Sequence, residues 1–400
     1  MSNDQQLIFT QDCEIVSYLG FTVDNVMKKI NTTINNSAHS FCSPQIKMKE
    51  KMNLTELTYI NSGNNAAIFS FPNSFKTNDV LLRLTFNSEL NGDEYRGLYY
   101  QGIIAYKCHY VNRILDLGTY QTNTELSFGQ HTSKKGTGIY AVLENAPKSF
   151  KSFIEYIRSI ENVNERNKTK LITIIQLLQA FQCIHSLGYV HFDLKPENVQ
   201  FDEKFKNIKI IDFGFCRKFG EEIINPHGTP AYMSPLNKKG TTVSGYLDFY
   251  SIGIMIWLIW YGLDDVDCLY KINFIRNKLS QSPYAKPTQD KLDNNCKGIT
   301  PDNIKDLVGS KDNYDYVDEF MKKESNYSIK ILQLNKTELN YSYFINELIK
   351  WMENKLSKIL KDAKSVGGKR KSLRRRKMKL KNKSSKNRYS NRRNKSVRKR

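Results

Sequence analysis

Acidic residues are missing from the last 36 positions of this 400-residue chain, 365–400, which hold 18 of its 61 Lys and Arg. That stretch carries 18 of the 21 net positive charges, so the rest of the chain is nearly neutral, at +3. It lacks a hydrophobic period as well, which excludes a packed element and predicts a tail that is disordered in isolation. Any apolar run long enough to cross a bilayer, about 20 residues, is also absent. The most apolar stretch, Ile252 to Leu263, is shorter than that and reads as a buried central helix. The chain opens on polar and acidic residues rather than a basic-then-apolar leader. The seven cysteines (Cys13, Cys42, Cys108, Cys183, Cys216, Cys268 and Cys296) form no C-x-x-C pair. Their expected role is core packing in a reducing compartment. These absences predict a soluble, intracellular protein with no transmembrane segment. The length alone would allow two or three ordinary domains.

The densest chemistry lies in His191-Phe192-Asp193-Leu194-Lys195-Pro196-Glu197-Asn198, followed by Asp212-Phe213-Gly214. Its context is readable. Leu171, Ile174, Ile175, Leu178 and Phe181 recur at helical spacing, so an amphipathic helix runs to about Leu187, where Gly188 suits its C-terminal cap. Asn207 to Ile211 reads as a short buried strand that delivers Asp212. His185 and His191 are expected to pack and hydrogen-bond rather than bind metal. The two motifs resemble the catalytic and metal-binding loops of eukaryotic-type protein kinases, H-x-D-x-K-x-x-x-N and D-F-G. The resemblance implies an α+β bilobal fold with a small β-rich N-lobe and a larger helical C-lobe. It implies ATP with Mg²⁺ (or Mn²⁺) as cofactors and a Ser or Thr hydroxyl of a protein as acceptor. Asp193 would take or orient the hydroxyl proton, and Lys195 would set positive charge near the moving phosphate. Asn198 and Asp212 offer the hard oxygen ligands Mg²⁺ prefers.

The N-terminal half carries a weaker version of the nucleotide lid. Ile60-Asn61-Ser62-Gly63-Asn64-Asn65-Ala66-Ala67-Ile68 is similar to the glycine-rich loop, with only Gly63 retained and Asn61 and Ala66 at the other glycine positions. Ile60, Gly63 and Ile68 are then the expected nucleotide contacts. Val80-Leu81-Leu82-Arg83-Leu84 resembles the lysine-bearing strand, but with Arg83 where the family has Lys. Arg keeps the charge and changes the shape, a planar fork in place of a compact ammonium. Its expected helix partner is Glu94, with Glu89 as the alternative. Tyr140 to Ala146 resembles the strand and hinge between the lobes, with Leu143 beside the adenine and the Glu144 and Ala146 backbones on its edge.

Phe215 to His227 contains no Ser, Thr or Tyr, so the usual switch phosphosite is missing. Phe192 replaces the Arg that would pair with that phosphate, and the two absences agree. Gly228-Thr229-Pro230-Ala231-Tyr232-Met233-Ser234-Pro235 resembles the substrate-docking segment of Ser/Thr kinases, although Leu236 stands in place of its closing glutamate. Asp248 matches the helix aspartate that braces the catalytic loop. Glu197 stands where kinases that prefer basic substrates carry a carboxylate.

The resemblance divides the chain into an N-terminal extension (1–53), a kinase domain (54–355, with an N-lobe to about 143 and a C-lobe from about 147) and the basic tail (365–400). Such a tail binds nucleic acid without sequence preference. Nuclear import, attachment to anionic membranes and tethering to acidic substrates are alternatives, and a merely solubilising tail is the bland one. Ser372, Ser384, Ser385, Ser390 and Ser396 lie among its cations and are candidate autophosphorylation sites. The Asn, Lys and Ile richness resembles that of a divergent kinase of a large DNA virus or an A+T-rich protist, and the basic tail would place the protein in a nucleus, viral factory or virion. Besides an active Ser/Thr kinase, the sequence leaves open a pseudokinase scaffold, on account of Arg83 and the eroded loop. A nucleic-acid-packaging protein, on account of the tail, is the third reading.

Overall fold

The computed structural model describes residues 6–11, 51–53, 56–62, 66–70, 80–85, 92–128, 131–133, 136–271, 287–297 and a few positions between 349 and 357. Gly63, Glu89, the 365–400 tail and all of 298–348 lie outside the described residues.

The N-lobe is a seven-stranded antiparallel sheet in the order β2-β1-β6-β9-β5-β4-β3. Its strands are β1 (Gln6–Gln11), β2 (Lys51–Asn53), β3 (Thr58–Ser62), β4 (Ala66–Ser70), β5 (Val80–Thr85), β6 (Ile114–Thr122) and β9 (Gly136–Glu144). A small hairpin, β7 (Leu126–Phe128) with β8 (His131–Ser133), stands apart from it. Strands β1 and β2 come from the segment before residue 54 and extend the sheet at its β6 edge. Central strand β9 is buried along most of its length because both of its faces are covered. One face packs with Phe69, Leu82, Leu84 and Val142. The other packs Ala141 and Leu143 with Leu98 of helix α1 (Gly92–Lys107).

The C-lobe starts with the short strand β10 (Lys148–Ser149) and helix α2 (Phe150–Ser159), whose first turn is capped by the Ser149 hydroxyl. Helix α3 (Val163–Ser186) begins at Asn162, whose side chain accepts from the N–H groups of Asn164 and Glu165. It ends one residue before the expected boundary, with Gly188 at φ 79° donating to His185 O. Helix α4 (Tyr246–Tyr261) is apolar almost all round and accordingly buried almost all round. It lies against α3 at the centre of the largest apolar cluster. Among the described residues no helix is long and apolar enough to cross a membrane. The lobe is completed by β11 (Tyr189–Val190), β12 (Val199–Phe201), β13 (Ile208–Ile210), β14 (Arg217–Lys218) and α5 (Gln289–Asn295).

The cysteines depart from expectation. Cys108 is bonded to Cys183, and Cys268 to Cys296. Cys216 is a free thiol and fully buried, as core packing requires. The pairs were not legible because their partners lie 75 and 28 residues apart in the chain.

Candidate active site

Asp193, Lys195 and Asn198 sit in the segment between β11 and β12. Asp248, near the start of α4 and fully buried, holds the base of this loop. Its Oδ2 accepts from the His191 N–H (2.9 Å) and pairs with His185 Nε2 (2.8 Å); its Oδ1 accepts from the Phe192 N–H (2.8 Å). Among the described residues neither histidine is part of a metal-ligand cluster. His191 Nε2 bonds Ile211 O at 3.0 Å, and its Nδ1 accepts from the Asp193 N–H at 3.2 Å. Those partners define the tautomer: Nδ1 must be bare and Nε2 must carry the proton.

The Asp193 carboxylate is almost wholly buried and every contact on it has a role. Oδ1 accepts from the Thr229 N–H (2.8 Å) and the Thr229 hydroxyl (2.7 Å). Oδ2 pairs with Lys195 Nζ (2.7 Å) and accepts from Asn198 Nδ2 (3.2 Å). The Thr229 hydroxyl gives its proton to Asp193 and accepts from Lys195 Nζ at 2.9 Å, closing a three-residue ring. The Asn198 amide also donates to Asp193 O at 2.7 Å, so its carbonyl oxygen points away from the aspartate. Asp193 and Lys195 are thus fixed with respect to a threonine 36 residues on. The sequence pattern placed Thr229 in the docking segment and did not reveal it as part of this cluster; its place in the G-T-P triplet was the available signal.

Asp212 follows β13. It is exposed, at φ 62°, and its Oδ1 accepts from the Gly214 N–H at 3.3 Å. The strand that carries it is fastened to its neighbours: Ile211 N–H donates to Asn198 O (3.0 Å) and Asn112 N–H to Ile210 O (2.9 Å). Phe213 packs edge-on against the His191 ring with centroids 4.6 Å apart. Helix α1 comes so close that a Cβ on Gly97 would lie 2.7 Å from both Gly214 Cα and Phe213 O. Only a glycine permits that approach.

On the N-lobe side, strand pairing sets Ile68 opposite Arg83, Arg83 opposite Ala141 and Leu81 opposite Leu143. These residues share one face of the sheet, the face towards α1 and the cleft. Arg83 is half-buried there, Ile68 likewise, and Ile60 of the β3–β4 hairpin is 51% exposed. Glu94 is in the first turn of α1; its side chain, like Gly63, lies outside what the structure describes. Glu144 ends β9, with its N–H on Arg113 O (3.0 Å) and its carboxylate on Lys209 Nζ (2.9 Å). Ala146 is buried two residues later.

No three His, Cys, Asp or Glu side chains gather as a metal site among the described residues. Asn198 and Asp212 together offer an amide oxygen and a carboxylate. That fits a hard divalent cation that completes its shell with phosphate oxygens and water.

The fold and this cluster define a bilobal protein kinase, and sequence comparison agrees. A family model described as protein kinase domain matches residues 126–355. The chain belongs to that family, since the match covers more than half of it. A zebrafish (Danio rerio) protein named maternal embryonic leucine zipper kinase is 35% identical over 127 residues, 30% of this chain and 19% of that protein. Its Xenopus laevis counterpart is 36% identical over 114 residues, 26% and 17%. The human serine/threonine-protein kinase D3 is 43% identical over 81 residues, 19% and 9%. The chain therefore spans less than a fifth of the length of these relatives. All three come from animals and carry no information about a viral source.

Proposed function

We propose that the protein is a Ser/Thr protein kinase that moves the γ-phosphate of ATP to a protein hydroxyl. The observation that carries this reading is the Asp193–Thr229–Lys195 ring, with Asn198 attached to it. Asp193 takes the proton of the incoming hydroxyl while that oxygen bonds to the γ-phosphorus and ADP departs. Lys195 offsets charge on the transferred phosphate. Asn198 and Asp212 hold a divalent cation, Mg²⁺ or Mn²⁺, which supplies Lewis-acid stabilisation of the phosphate oxygens. Arg83 reaches the α- and β-phosphates, steadied by Glu94. Ile60, Ile68 and Leu143 flank the adenine, and the Glu144 and Ala146 backbones meet its edge.

Activity in this reading needs no activation-loop phosphate, because apolar contacts do the work a phosphate would do. Phe192 is buried with Val190, Ile223, Val243 and Leu247. The segment it grips is also stitched by backbone bonds: Gly220 N–H to Val243 O, Val243 N–H to Glu221 O and Ile223 N–H to Thr241 O. Lys218 lies over the rings of Tyr100 of α1 and Tyr189 of β11, a second tie that uses no phosphate.

The basic tail recruits nucleic acid or another polyanion and offers its serines as substrates. Arg83 favours a second reading, a scaffold that has lost phosphoryl transfer. The tail alone favours a packaging protein.

The test is Mg-dependent transfer of labelled phosphate from ATP to a basic Ser-containing protein, with Asp193→Ala beside the wild type. Transfer in the wild type that is lost in the variant is the expected result. A folded wild type inert towards several substrates would replace the kinase reading with the scaffold. Phosphatase treatment should leave the activity unchanged; loss of activity on that treatment would overturn the apolar clamp.

A further inference from the structure

At the end of α1 several contacts gather around one junction between the lobes. Gln101 Nε2 donates to Asn112 O (3.0 Å), and the Tyr110 hydroxyl donates to Gln179 Oε1 of α3 (2.6 Å). Ile210 N–H donates to Tyr110 O (2.7 Å), and Val111 bridges to Ile210 in parallel register. Lys209 Nζ reaches His109 O (3.0 Å). In the middle of this junction Cys108, the first residue past α1, is bonded to Cys183 of α3. The pair joins the N-lobe helix to the long C-lobe helix across 75 residues of chain.

The two disulfides among the described residues differ in access. Cys268 and Cys296 are both completely buried, so no external thiol reaches either sulfur. Cys108 is also buried, but Cys183 is half-exposed on the α3 surface. Exchange proceeds by thiolate attack along an open approach, so of these two pairs Cys108–Cys183 is the one that can be reached.

We propose that Cys108 and Cys183 are a reversible thiol–disulfide site that fastens α1 to α3 and thereby holds the nucleotide-side geometry. A disulfide such as oxidised glutathione is the oxidant. The Cys183 thiolate attacks one of its sulfurs, forming a mixed disulfide and releasing one glutathione thiolate. The Cys108 thiolate then attacks Cys183 Sγ and releases the second. Two electrons pass from the cysteines to the glutathione disulfide, and the two cysteine protons end on the two glutathione thiols. In the reduced form Cys183 can still bond Lys107 O, 3.7 Å away, but α1 is no longer covalently anchored. Its other end bears on the metal loop through Gly97, so loosening α1 perturbs the loop that carries Asp212 before it perturbs the Asp193–Thr229 ring. The effect on catalysis rests on the kinase reading; the chemistry and the tether do not.

The experiment uses the full chain equilibrated in glutathione buffers from fully reduced to fully oxidised. Non-reducing peptide mass spectrometry should find Cys108 linked to Cys183 over an intermediate range of ratios, while Cys268–Cys296 stays linked throughout. Amide exchange of residues 97–112 should be slower in the oxidised form. Reduction should raise the KM for ATP by at least about fivefold, the lower end of typical coupling between sites, with a smaller change in kcat. Cys183→Ser and, separately, Cys108→Ser should both be indifferent to the buffer and behave like the reduced wild type. The proposal is overturned if no linked peptide forms at any ratio, or if it forms without changing exchange in 97–112. Linkage and exchange that respond in a protein with no transfer activity would leave the tether standing and refute the kinase reading instead.

Discussion

Replacing Phe192 tests the apolar clamp most directly. The side chain is 8% exposed and packs with Val190, Ile223, Val243 and Leu247, while Phe219 and Leu236 cover the cluster. Truncating such a buried ring to Ala costs about 3–5 kcal/mol. Phe192 also sits at φ 69°, where an L side chain is strained. Phe192→Ala keeps that strain, whereas Phe192→Gly relieves about 1 kcal/mol of it. Both variants should be less stable than the wild type, and the Gly variant should be the better by about that amount. Because the cluster joins β11 and the catalytic loop to 219–223 and 243–247, much of the loss falls on local opening of the segment after β14. A local loss of about 3 kcal/mol raises the open population roughly 100-fold, and trypsin cleavage after Arg217 or Lys218 should rise in proportion. The assays are urea unfolding and timed limited proteolysis. A Phe192→Ala protein within about 1 kcal/mol of wild type, cleaved at the wild-type rate, would refute the clamp.

Gly97→Ala places a methyl 2.7 Å from Gly214 Cα and Phe213 O, both backbone atoms that cannot rotate away. It should push α1 off the metal loop, weakening nucleotide binding in calorimetric titration while leaving the Asp193–Thr229 ring intact. Lys170 is buried in α3 with its Nζ on Trp260 O (2.7 Å), and burial, helped by nearby Arg166, lowers its pKa to about 7. The unfolded chain therefore binds the extra proton between about pH 7 and the ordinary lysine value near 10.5, so this group makes stability rise with pH across that window and costs most at and below pH 7. Lys170→Met should flatten that slope in unfolding measured from pH 7 to 10. Deleting 365–400 removes 18 positive charges. DNA retention at low salt should fall, and the salt dependence of binding should become shallower by about 0.9 in slope for each DNA phosphate that the tail neutralises; unchanged retention would remove the nucleic-acid reading.

The catalytic loop was legible because its chemistry is local. Asp193, Lys195 and Asn198 lie within six positions, and the α3 helix before them and the β13 strand after them show in apolar spacing and in Gly188. Strand β5 and the β3–β4 hairpin were legible only through the resemblance of 80–84 and 60–68 to family segments. Contacts that close the site over long chain distances were not. Thr229 reaches Asp193 from 36 residues away, whereas the brace that Asp248 gives the catalytic loop, through His185, His191 and Phe192 at 63, 57 and 56 residues, was legible only through the family resemblance. Strand register across β4, β5 and β9 decides that Ile68, Arg83 and Leu143 share the cleft face. The cysteines show the limit most plainly: their spacing carried no pair, and only the packing of α1 against α3 brought Cys108 to Cys183. The sequence by itself determined residue chemistry at short spacing and the charge of the tail, since both depend on neighbours in the chain. Tertiary structure alone decided which distant donors meet each carboxylate and which sulfurs meet, because those depend on how helices and strands pack against one another.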